Sequence, residues 1–258
     1  MSTLRSEWTK LRTVRSSWWA LGLALGLTIL MSMFISSTVE TSGKAPYEGG
    51  EDTMMLSLGG VLFAQFAVVA IAVVAITAEH ATGTIRATFA ANPRRRLVLG
   101  AKAGVVAAVV AAVGLVGSLL AFLASQPILR GNGFIAANGY PAWSLGDGEA
   151  LRAIAGAAIF LALLALLALG VGAILRHTAA AVTGVLALMF LPLIASGMVP
   201  ESAQDTIQRI APMTAGSCVF TTAGHGAPLS PGAGIAVLAA WAAAAMLGAL
   251  WLIGRRDA

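Results

Sequence analysis

The residues of this sequence that could do chemistry are few and widely spaced. The metalloprotease signature H-E-x-x-H and the hydrolase signature G-x-S-x-G do not occur in it. Gly43-Lys44 is followed by alanine where a phosphate-binding loop requires Ser or Thr, so ATP binding is not predicted. No carboxylate or thiol stands at ligand spacing from the three histidines, His80, His177 and His225. We therefore expect a chain with no catalytic site, metal or cofactor of its own.

The elements that must position any functional residue are long apolar segments. The chain has 258 residues, of which 58% are apolar and 10% charged, against about 25% charged in an ordinary soluble domain. A membrane-spanning helix needs about 20 apolar residues. Six segments qualify: 18–36, 54–78, 103–124, 151–175, 179–198 and 235–253. Because backbone in lipid must satisfy its own hydrogen bonds, and these segments lack the alternation of barrel strands, they predict helices. The sequence thus predicts an all-α integral membrane fold, with residues 1–258 as a single transmembrane domain.

The predicted spans are poor in polar groups. Their interiors contain no ionisable side chain, and only Arg152 stands at the mouth of the fourth. Ion-coupled carriers usually place such groups inside their spans, so this class of transporter is not favoured. Gln65 is the strongest polar group in a span, and it serves either an interhelical hydrogen bond or contact with a substrate. Four apolar side chains either face a lipid-like or drug-like ligand or pack in the core: Phe63, Phe66, Met189 and Phe190. With Gln65, they form the predicted substrate path.

Small residues recur at two places in the predicted helices. Gly22-x-x-x-Gly26 lies in the first span, and Gly100-x-x-x-Gly104 lies at the start of the third. This spacing allows two helix backbones to approach closely. We therefore expect both pairs to be packing sites.

Positive charge is distributed unevenly over the segments between the spans. When these segments are assigned alternately to two compartments, twelve of the 16 Lys and Arg residues fall on the side that holds both termini, with three of the 11 acids. The positive-inside rule places that side in the cytoplasm. We expect a multi-pass protein of the plasma or inner membrane with both termini cytoplasmic. The basic balance reflects topology and anionic lipid, so no nucleic acid partner is predicted.

Residues 1–16 form a basic segment before the first span. Leu4, Trp8 and Leu11 recur at spacings of four and three residues, while cations such as Arg12 lie mostly off this stripe and Arg15 precedes the span. This pattern predicts a helix in the membrane interface, with its apolar face in the headgroup boundary and its cations among phosphates. A basic tail that only sets the topology is the alternative.

Residues 79–102 form a predicted cytoplasmic loop with an acid at its start. A helix that ended at Glu79 would place a carboxylate at the negative end of its dipole. We therefore expect Glu79 near the start of a new short helix or paired with a neighbouring Arg. Ile85 and Phe89 share one helical face, and Pro93 ends the turn. The pattern predicts a short amphipathic helix that projects from the membrane; an ordinary basic loop is the alternative.

Residues 199–234 are too polar to span a membrane. Residues 202–210 predict a short helix that Pro212 stops, and the remainder is rich in Gly, Thr and Pro. We expect an extracellular loop. It forms either a partly re-entrant cap or an ordinary surface loop.

The 79–102 loop also carries a family resemblance. The motif E-x-x-x-G-T-I-R, followed by N-P-R-R-R and by G-x-K at 100–102, resembles the cytoplasmic loop of ABC transporter permeases of the type-2 exporter class. In that family an acid closes helix two, a Gly-Thr pair opens a short coupling helix, and a Pro-Arg step leads into helix three. The segment L-R-S-E-W-T-K-L-R at 4–12 resembles the family's N-terminal connecting helix. Six spans, cytoplasmic termini and a long outer loop extend the resemblance to nearly the whole chain.

The resemblance implies that another polypeptide supplies the energy for transport. A separate ATPase subunit, which holds ATP and Mg, would dock on the coupling helix. A second permease, identical or homologous, would complete the translocation path. The implied function is outward movement of a hydrophobic or amphipathic small molecule such as a drug, an antibiotic or a lipid-like compound. The implied docking residues are Glu79, Gly83, Thr84, Ile85, Arg86 and Phe89.

Two other classes of function compete with this one. A non-transporting membrane anchor or sensor would use the 79–102 loop only to recruit a cytoplasmic partner. An intramembrane enzyme would need catalytic motifs that this sequence lacks.

Overall fold

The computed structural model describes residues 2–13, 15–41, 51–84, 95–222 and 227–255, with the backbone alone for residues 2, 11, 15, 16, 201 and 202. All regular secondary structure within these ranges is helical. The α-helices are α1 Ser2–Thr13, α2 Arg15–Thr38, α3 Thr53–Leu58, α4 Val61–Ala81, α5 Arg95–Gly131, α6 Gly148–Leu175, α7 Thr178–Ser196, α8 Glu201–Ile210, α9 Pro212–Ser217 and α10 Pro231–Arg255. Short 3-10 turns lie at Ala136–Asn138 and Cys218–Phe220.

Six stretches of the described chain are long and apolar enough to cross a membrane. They are Ser17–Thr38 in α2, Thr53–Ala81 over α3 and α4, and the helices α5, α6, α7 and α10. The predicted all-α fold with six membrane-spanning helices is confirmed. The third span differs most in length from its apolar segment, because α5 continues as one helix of 37 residues with basic residues in its first and last turns.

Helix α6 lies at the centre of the bundle. It packs against α4, α5, α7 and α10. Most of its large side chains are fully buried, among them Phe160, Leu164, Leu167 and Leu169, while Ile159 on its remaining side is 44% exposed. A helix that is apolar all round is expected in such a core position. Hydrogen bonds add to the packing, since Ser118 of α5 donates to the carbonyl oxygen of Ile154 at 3.1 Å.

Gly60 allows α4 to begin directly against α2. Its N–H donates to Ser32 Oγ at 2.9 Å, and a Cβ atom here would collide with the backbone of Thr28 and Ser32. Only glycine fits this approach. At this point of contact with the first span, the second span therefore requires glycine.

The two pairs of small residues predicted to be packing sites do not pack against other helices in the described part of the chain. A Cβ atom added at Gly22, Gly26, Gly100 or Gly104 would have no neighbouring heavy atom within 4 Å. The prediction is wrong for contacts among the described residues. The close helix approaches are made by other glycines, such as Gly60, because backbone proximity depends on how the helices cross and not on spacing alone.

Residues 211–220, between α7 and α10, are folded into the bundle. The predicted helix is present as α8, but Pro212 also starts α9, where the first helical position tolerates a residue without an N–H. Ala211, Ala215 and the turn Cys218–Phe220 are buried. Residues 211–220 are thus not an ordinary surface loop.

Candidate functional site

Four charged side chains from three helices meet at the end of the bundle that holds α1. Glu7 and Lys10 come from α1, Glu79 from the last turn of α4, and Lys102 from near the start of α5. We refer to these four residues as the ionic cluster. They include both ends of the 79–102 loop.

Each ammonium group of the ionic cluster donates to both carboxylates. Lys10 Nζ lies 2.7 Å from Glu7 Oε1 and 2.9 Å from Glu79 Oε1. Lys102 Nζ lies 2.5 Å from Glu7 Oε2 and 2.9 Å from Glu79 Oε1. The four charges form a closed ring of charge-assisted hydrogen bonds, which are stronger than bonds between neutral groups.

The ring is mostly shielded from solvent. The exposed fraction of the side chain is 3% for Glu7, 6% for Lys102, 13% for Glu79 and 39% for Lys10. Burial lowers the pKa of Lys10, but hydrogen bonds to Glu7 and Glu79 and the charges of both acids raise it more, so its pKa lies above the ordinary value. Lys10 is therefore charged at neutral pH. Charges this deeply buried are tolerated only when they are paired.

The local prediction for Glu79 is wrong. It expected Glu79 near the start of a new helix or beside an Arg, whereas the residue lies inside the last turn of α4 and its partners are lysines. The helix dipole disfavours a carboxylate there by about 0.3–1 kcal/mol. Two hydrogen bonds to charged groups, each worth about 1.5–3 kcal/mol, outweigh that cost.

One oxygen of the ionic cluster has no donor. Glu79 Oε1 accepts from both lysines, while Glu79 Oε2 is buried and has no hydrogen-bond partner among the described residues. An unsatisfied buried acceptor costs about 1–3 kcal/mol, and more when it is charged. Glu79 Oε2 is therefore an acceptor that no donor in the described part of the chain satisfies.

A cavity of about 460 Å³ lies beside the ionic cluster. All four cluster residues line one end of it. One face of α4 forms much of the remaining wall, with Ala70, Ile71, Val74, Ala75 and Ala78. Ala20 and Val106 add apolar surface, and Ser17, Thr82 and Thr84 add hydroxyl groups. The cavity therefore has a charged end and an apolar body.

A comparison with known protein families identifies the family of this chain. The profile of a family described as ABC-2 family transporter protein matches residues 3–191. The chain belongs to the ABC-2 transporter family. A comparison with curated proteins finds no match to this chain. The matched range contains α1 from its second residue, the first four spans, most of the fifth span and every member of the ionic cluster.

Membership in the ABC-2 family defines the general role of the chain. Such a permease is the transmembrane subunit of an ABC transporter and not its ATPase, which is a partner protein. The chain is a multi-pass membrane protein.

Three of the predicted docking residues of this ABC-2 permease lie in its described part: Glu79 in the last turn of α4, and Gly83 and Thr84 just after it. Gly83 follows the helix with a φ of 70°, a left-handed conformation that suits glycine at a helix C-terminus. Thr84 Oγ1 lies 2.9 Å from Thr82 Oγ1. Ile85, Arg86 and Phe89 lie outside the described residues. Docking by this set of residues stays a prediction.

The N-terminal segment is helical, as α1. Leu4 and Trp8 are 51% and 48% exposed, and Arg12 is exposed. The side chains of Leu11 and Arg15 lie outside the described part of the chain. Glu7 lies beside this stripe, three residues after Leu4 and four before Leu11, and it is buried in the bundle. Insertion of the stripe among lipid headgroups stays a prediction.

The residues of the predicted substrate path are divided between two environments. Phe66 of α4 stacks on Phe190 of α7, with ring centroids 5.5 Å apart, and Phe63 is 42% exposed nearby on α4. Gln65 and Met189 are buried in the core. Neither amide atom of Gln65 has a hydrogen-bond partner among the described residues, so the interhelical hydrogen bond considered for it is not formed there.

Sequence reasoning missed three members of the ionic cluster: Glu7, Lys10 and Lys102. Their partners lie up to 95 positions away, and no short motif joins them. A signal was nevertheless present. Lys102 stands inside a long helical run, where a charge needs a partner, and Glu7 and Glu79 are two of only three acids on the predicted cytoplasmic side.

Two charged residues hold residues 219–222 at the opposite end of the bundle. Arg152 donates to the carbonyl oxygens of Val219 at 2.8 Å and Thr221 at 2.9 Å. Asp52 caps α3 through the N–H of Met54 and accepts from the N–H of Thr222 at 2.7 Å. We refer to Asp52 and Arg152 as the 219–222 clamp. It fixes the buried turn against α3 and α6.

Proposed function

We propose that this ABC-2 permease is the membrane-spanning subunit of an ATP-driven exporter that moves a hydrophobic or amphipathic small molecule outward. ATP and Mg bind to the separate ABC ATPase subunit. A second permease, identical or homologous, completes the path, and both termini face the cytoplasm of a plasma or inner membrane. The observation that carries the proposal is the ionic cluster, because it bridges the two ends of the loop on which the ATPase would dock.

The ionic cluster offers a route for mechanical coupling. The loop leaves α4 after Glu79 and enters α5 before Lys102, and these two side chains are 2.9 Å apart. We therefore expect a displacement of the loop to be transmitted to α4 and α5 together. Glu7 and Lys10 extend the same hydrogen-bonded ring to α1. One docking event thus moves three helices as a unit.

The predicted substrate path supports a cargo without strict polar recognition. The exposed Phe63 and the stacked pair of Phe66 and Phe190 offer apolar contact on α4 and α7. Apolar contacts discriminate weakly between ligands of similar size. We therefore assign a chemical class of cargo and not one compound.

The proposal is tested with the permease and its ATPase subunit reconstituted together in vesicles. Phe89→Ala removes the largest apolar side chain of the predicted docking helix. Its matched control is Phe34→Ala, on the exposed face of α2, where the side chain is 61% exposed. We expect the permease-dependent ATPase rate to fall at least fivefold with Phe89→Ala and to be unchanged with Phe34→Ala, while both variants insert into the membrane normally.

Transport direction is measured in the same vesicles with a phospholipid labelled on its acyl chain by a fluorophore that dithionite quenches. We expect ATP to move the probe away from the leaflet that faces the ATPase. A permease that binds the ATPase but neither stimulates it nor moves any amphiphile would instead fit a membrane anchor or sensor. Equal stimulation by wild type and Phe89→Ala would contradict the docking assignment.

A further inference from the structure

The cavity beside the ionic cluster combines an apolar wall with a hydrogen-bonding end. Its wall follows α4 from Ala70 to Ala78, and Glu79 comes directly after it. At a rise of about 1.5 Å per residue, this wall is roughly 13 Å long. A ligand that fits such a space carries a polar group at one end and a hydrocarbon chain along its body.

The cavity is in contact with the surroundings of a membrane-spanning helix. Val74 and Ala78 line it and are exposed, with Val74 at 42%. Exposed side chains on this face of α4 meet lipid chains. A membrane lipid can therefore reach the cavity sideways without crossing water.

The charges at the polar end select the headgroup. Two carboxylates and two ammonium groups line the cavity, so the ionic cluster has no net charge. A lipid with a net charge would leave an unbalanced charge in this half-buried place, which is costly. The cluster is therefore matched by a headgroup without net charge.

The open hydrogen-bonding positions refine this selection. Glu79 Oε2 needs a donor. Lys10 and Lys102 each have three N–H donors and give two of them to the carboxylates. Each ammonium therefore has one N–H without an acceptor in the described part of the chain. A zwitterion with a primary ammonium and a phosphate supplies three N–H donors and several acceptor oxygens.

We propose that this cavity is a binding site for a membrane lipid with a net-neutral headgroup that donates hydrogen bonds, of the phosphatidylethanolamine type. The headgroup ammonium donates to Glu79, whose buried Oε2 turns towards the cavity when the lipid binds, the phosphate accepts from Lys10 and Lys102, and one acyl chain lies along Ala70–Ala78. Phosphatidylcholine has the same net charge and the same phosphate but no N–H donor. It therefore leaves Glu79 Oε2 unsatisfied.

The test measures lipid binding to the purified full-length permease in detergent by native mass spectrometry. The probes are dioctanoyl phosphatidylethanolamine, phosphatidylcholine and phosphatidylglycerol. We expect phosphatidylethanolamine to bind about tenfold more tightly than phosphatidylcholine, the ratio that corresponds to one unsatisfied buried acceptor. Phosphatidylglycerol, with its net negative charge, should bind more weakly than phosphatidylethanolamine.

Three variants separate the parts of the site. Glu79→Gln should abolish the preference for phosphatidylethanolamine over phosphatidylcholine. Val74→Trp fills the apolar wall without touching the ionic cluster, and it should weaken both lipids at least fivefold. Val116→Trp is the matched control, because Val116 is 49% exposed on α5 and does not line the cavity. It should leave all affinities unchanged.

Several results would overturn the proposal. They are equal affinity of the wild type for phosphatidylethanolamine and phosphatidylcholine, tightest binding of phosphatidylglycerol, or unchanged binding in Val74→Trp. Displacement of phosphatidylethanolamine by a lower concentration of dodecylamine would assign the site to a cationic amphiphile instead. The measurement needs no ATPase, so its failure would leave the proposed exporter function untouched, and failure of ATPase stimulation would leave this site untouched.

Discussion

The lysines of the ionic cluster differ in burial, and this difference predicts unequal effects of their removal. Lys102 is 6% exposed and Lys10 is 39% exposed, although both contact the same acids. Lys102→Met leaves two carboxylates with one partner in a buried place, which costs about 3–5 kcal/mol. Lys10→Met removes a partly solvated charge and should cost about 1 kcal/mol. Thermal unfolding of each purified variant in detergent measures the loss of stability relative to the wild type.

A second substitution shows whether the cost arises from the unpaired charge. Glu7→Gln, added to Lys102→Met, removes one of the stranded carboxylates and should restore part of the lost stability. Arg209→Met is the control, since Arg209 forms an exposed pair with Asp205 and should change stability by less than about 0.5 kcal/mol. If Lys102→Met were no worse than this control, the ionic cluster would not hold the α1 end together.

Gly60 makes a second prediction at the scale of one residue. A methyl group at this position collides with the backbone of α2, so Gly60→Ala should destabilise the permease by at least about 2 kcal/mol. Gly22→Ala is the matched control, because the added methyl group meets no atom within 4 Å and alanine favours a helix over glycine by about 1 kcal/mol. Unfolding of both variants in detergent should therefore shift in opposite directions. Equal shifts would contradict the close approach of α2 and α4.

At the scale of elements, the 219–222 clamp keeps a short turn inside a bundle of much longer helices. Cys218 lies within this turn, is 2% exposed, and is the single cysteine of the chain. Burial raises the pKa of its thiol, so the reactive thiolate is scarce at neutral pH. The reactivity of Cys218 therefore reports whether the clamp is closed.

Opening the clamp should expose this thiol. We expect Asp52→Ala, which removes the acceptor of the Thr222 N–H and the cap of α3, to speed maleimide labelling of Cys218 at least tenfold. Asp205→Ala is the control, because Asp205 is an exposed acid on α8 that pairs with Arg209. Mass spectrometry of the labelled protein gives the rates. Slow labelling in both variants would mean that Asp52 does not hold the turn.

Physical constraints explain which elements the sequence could predict. The six spans follow from composition because hydrocarbon fixes both the length and the polarity of a helix that crosses it. The ionic cluster could not be predicted in the same way, since Glu7 and Lys102 are 95 positions apart and helical periodicity says nothing about which helix ends meet. The small-residue pairs that begin at Gly22 and Gly100 illustrate the same limit, because their spacing permits helix packing but they contact no other described helix.

At the scale of the whole molecule, an even number of spans places the α1 end and both termini on one side. That side carries most of the positive charge, including the basic residues of α1 and of the loop 79–102. Segments rich in Lys and Arg remain on the cytoplasmic side of a membrane during insertion, which is the positive-inside rule. The charge distribution thus predicts that this side faces the cytoplasm, the orientation in which a cytoplasmic ATPase could reach the 79–102 loop.

The orientation can be measured because the chain has one cysteine to remove. In a Cys218→Ala background, Thr206→Cys places a thiol on the exposed face of α8, and Ser6→Cys places one on the exposed face of α1. We expect a membrane-impermeant maleimide to label Thr206→Cys in intact cells and Ser6→Cys only after permeabilisation. Labelling of Ser6→Cys in intact cells would place the ionic cluster outside, beyond the reach of a cytoplasmic ATPase, and would contradict the docking of that subunit on the 79–102 loop.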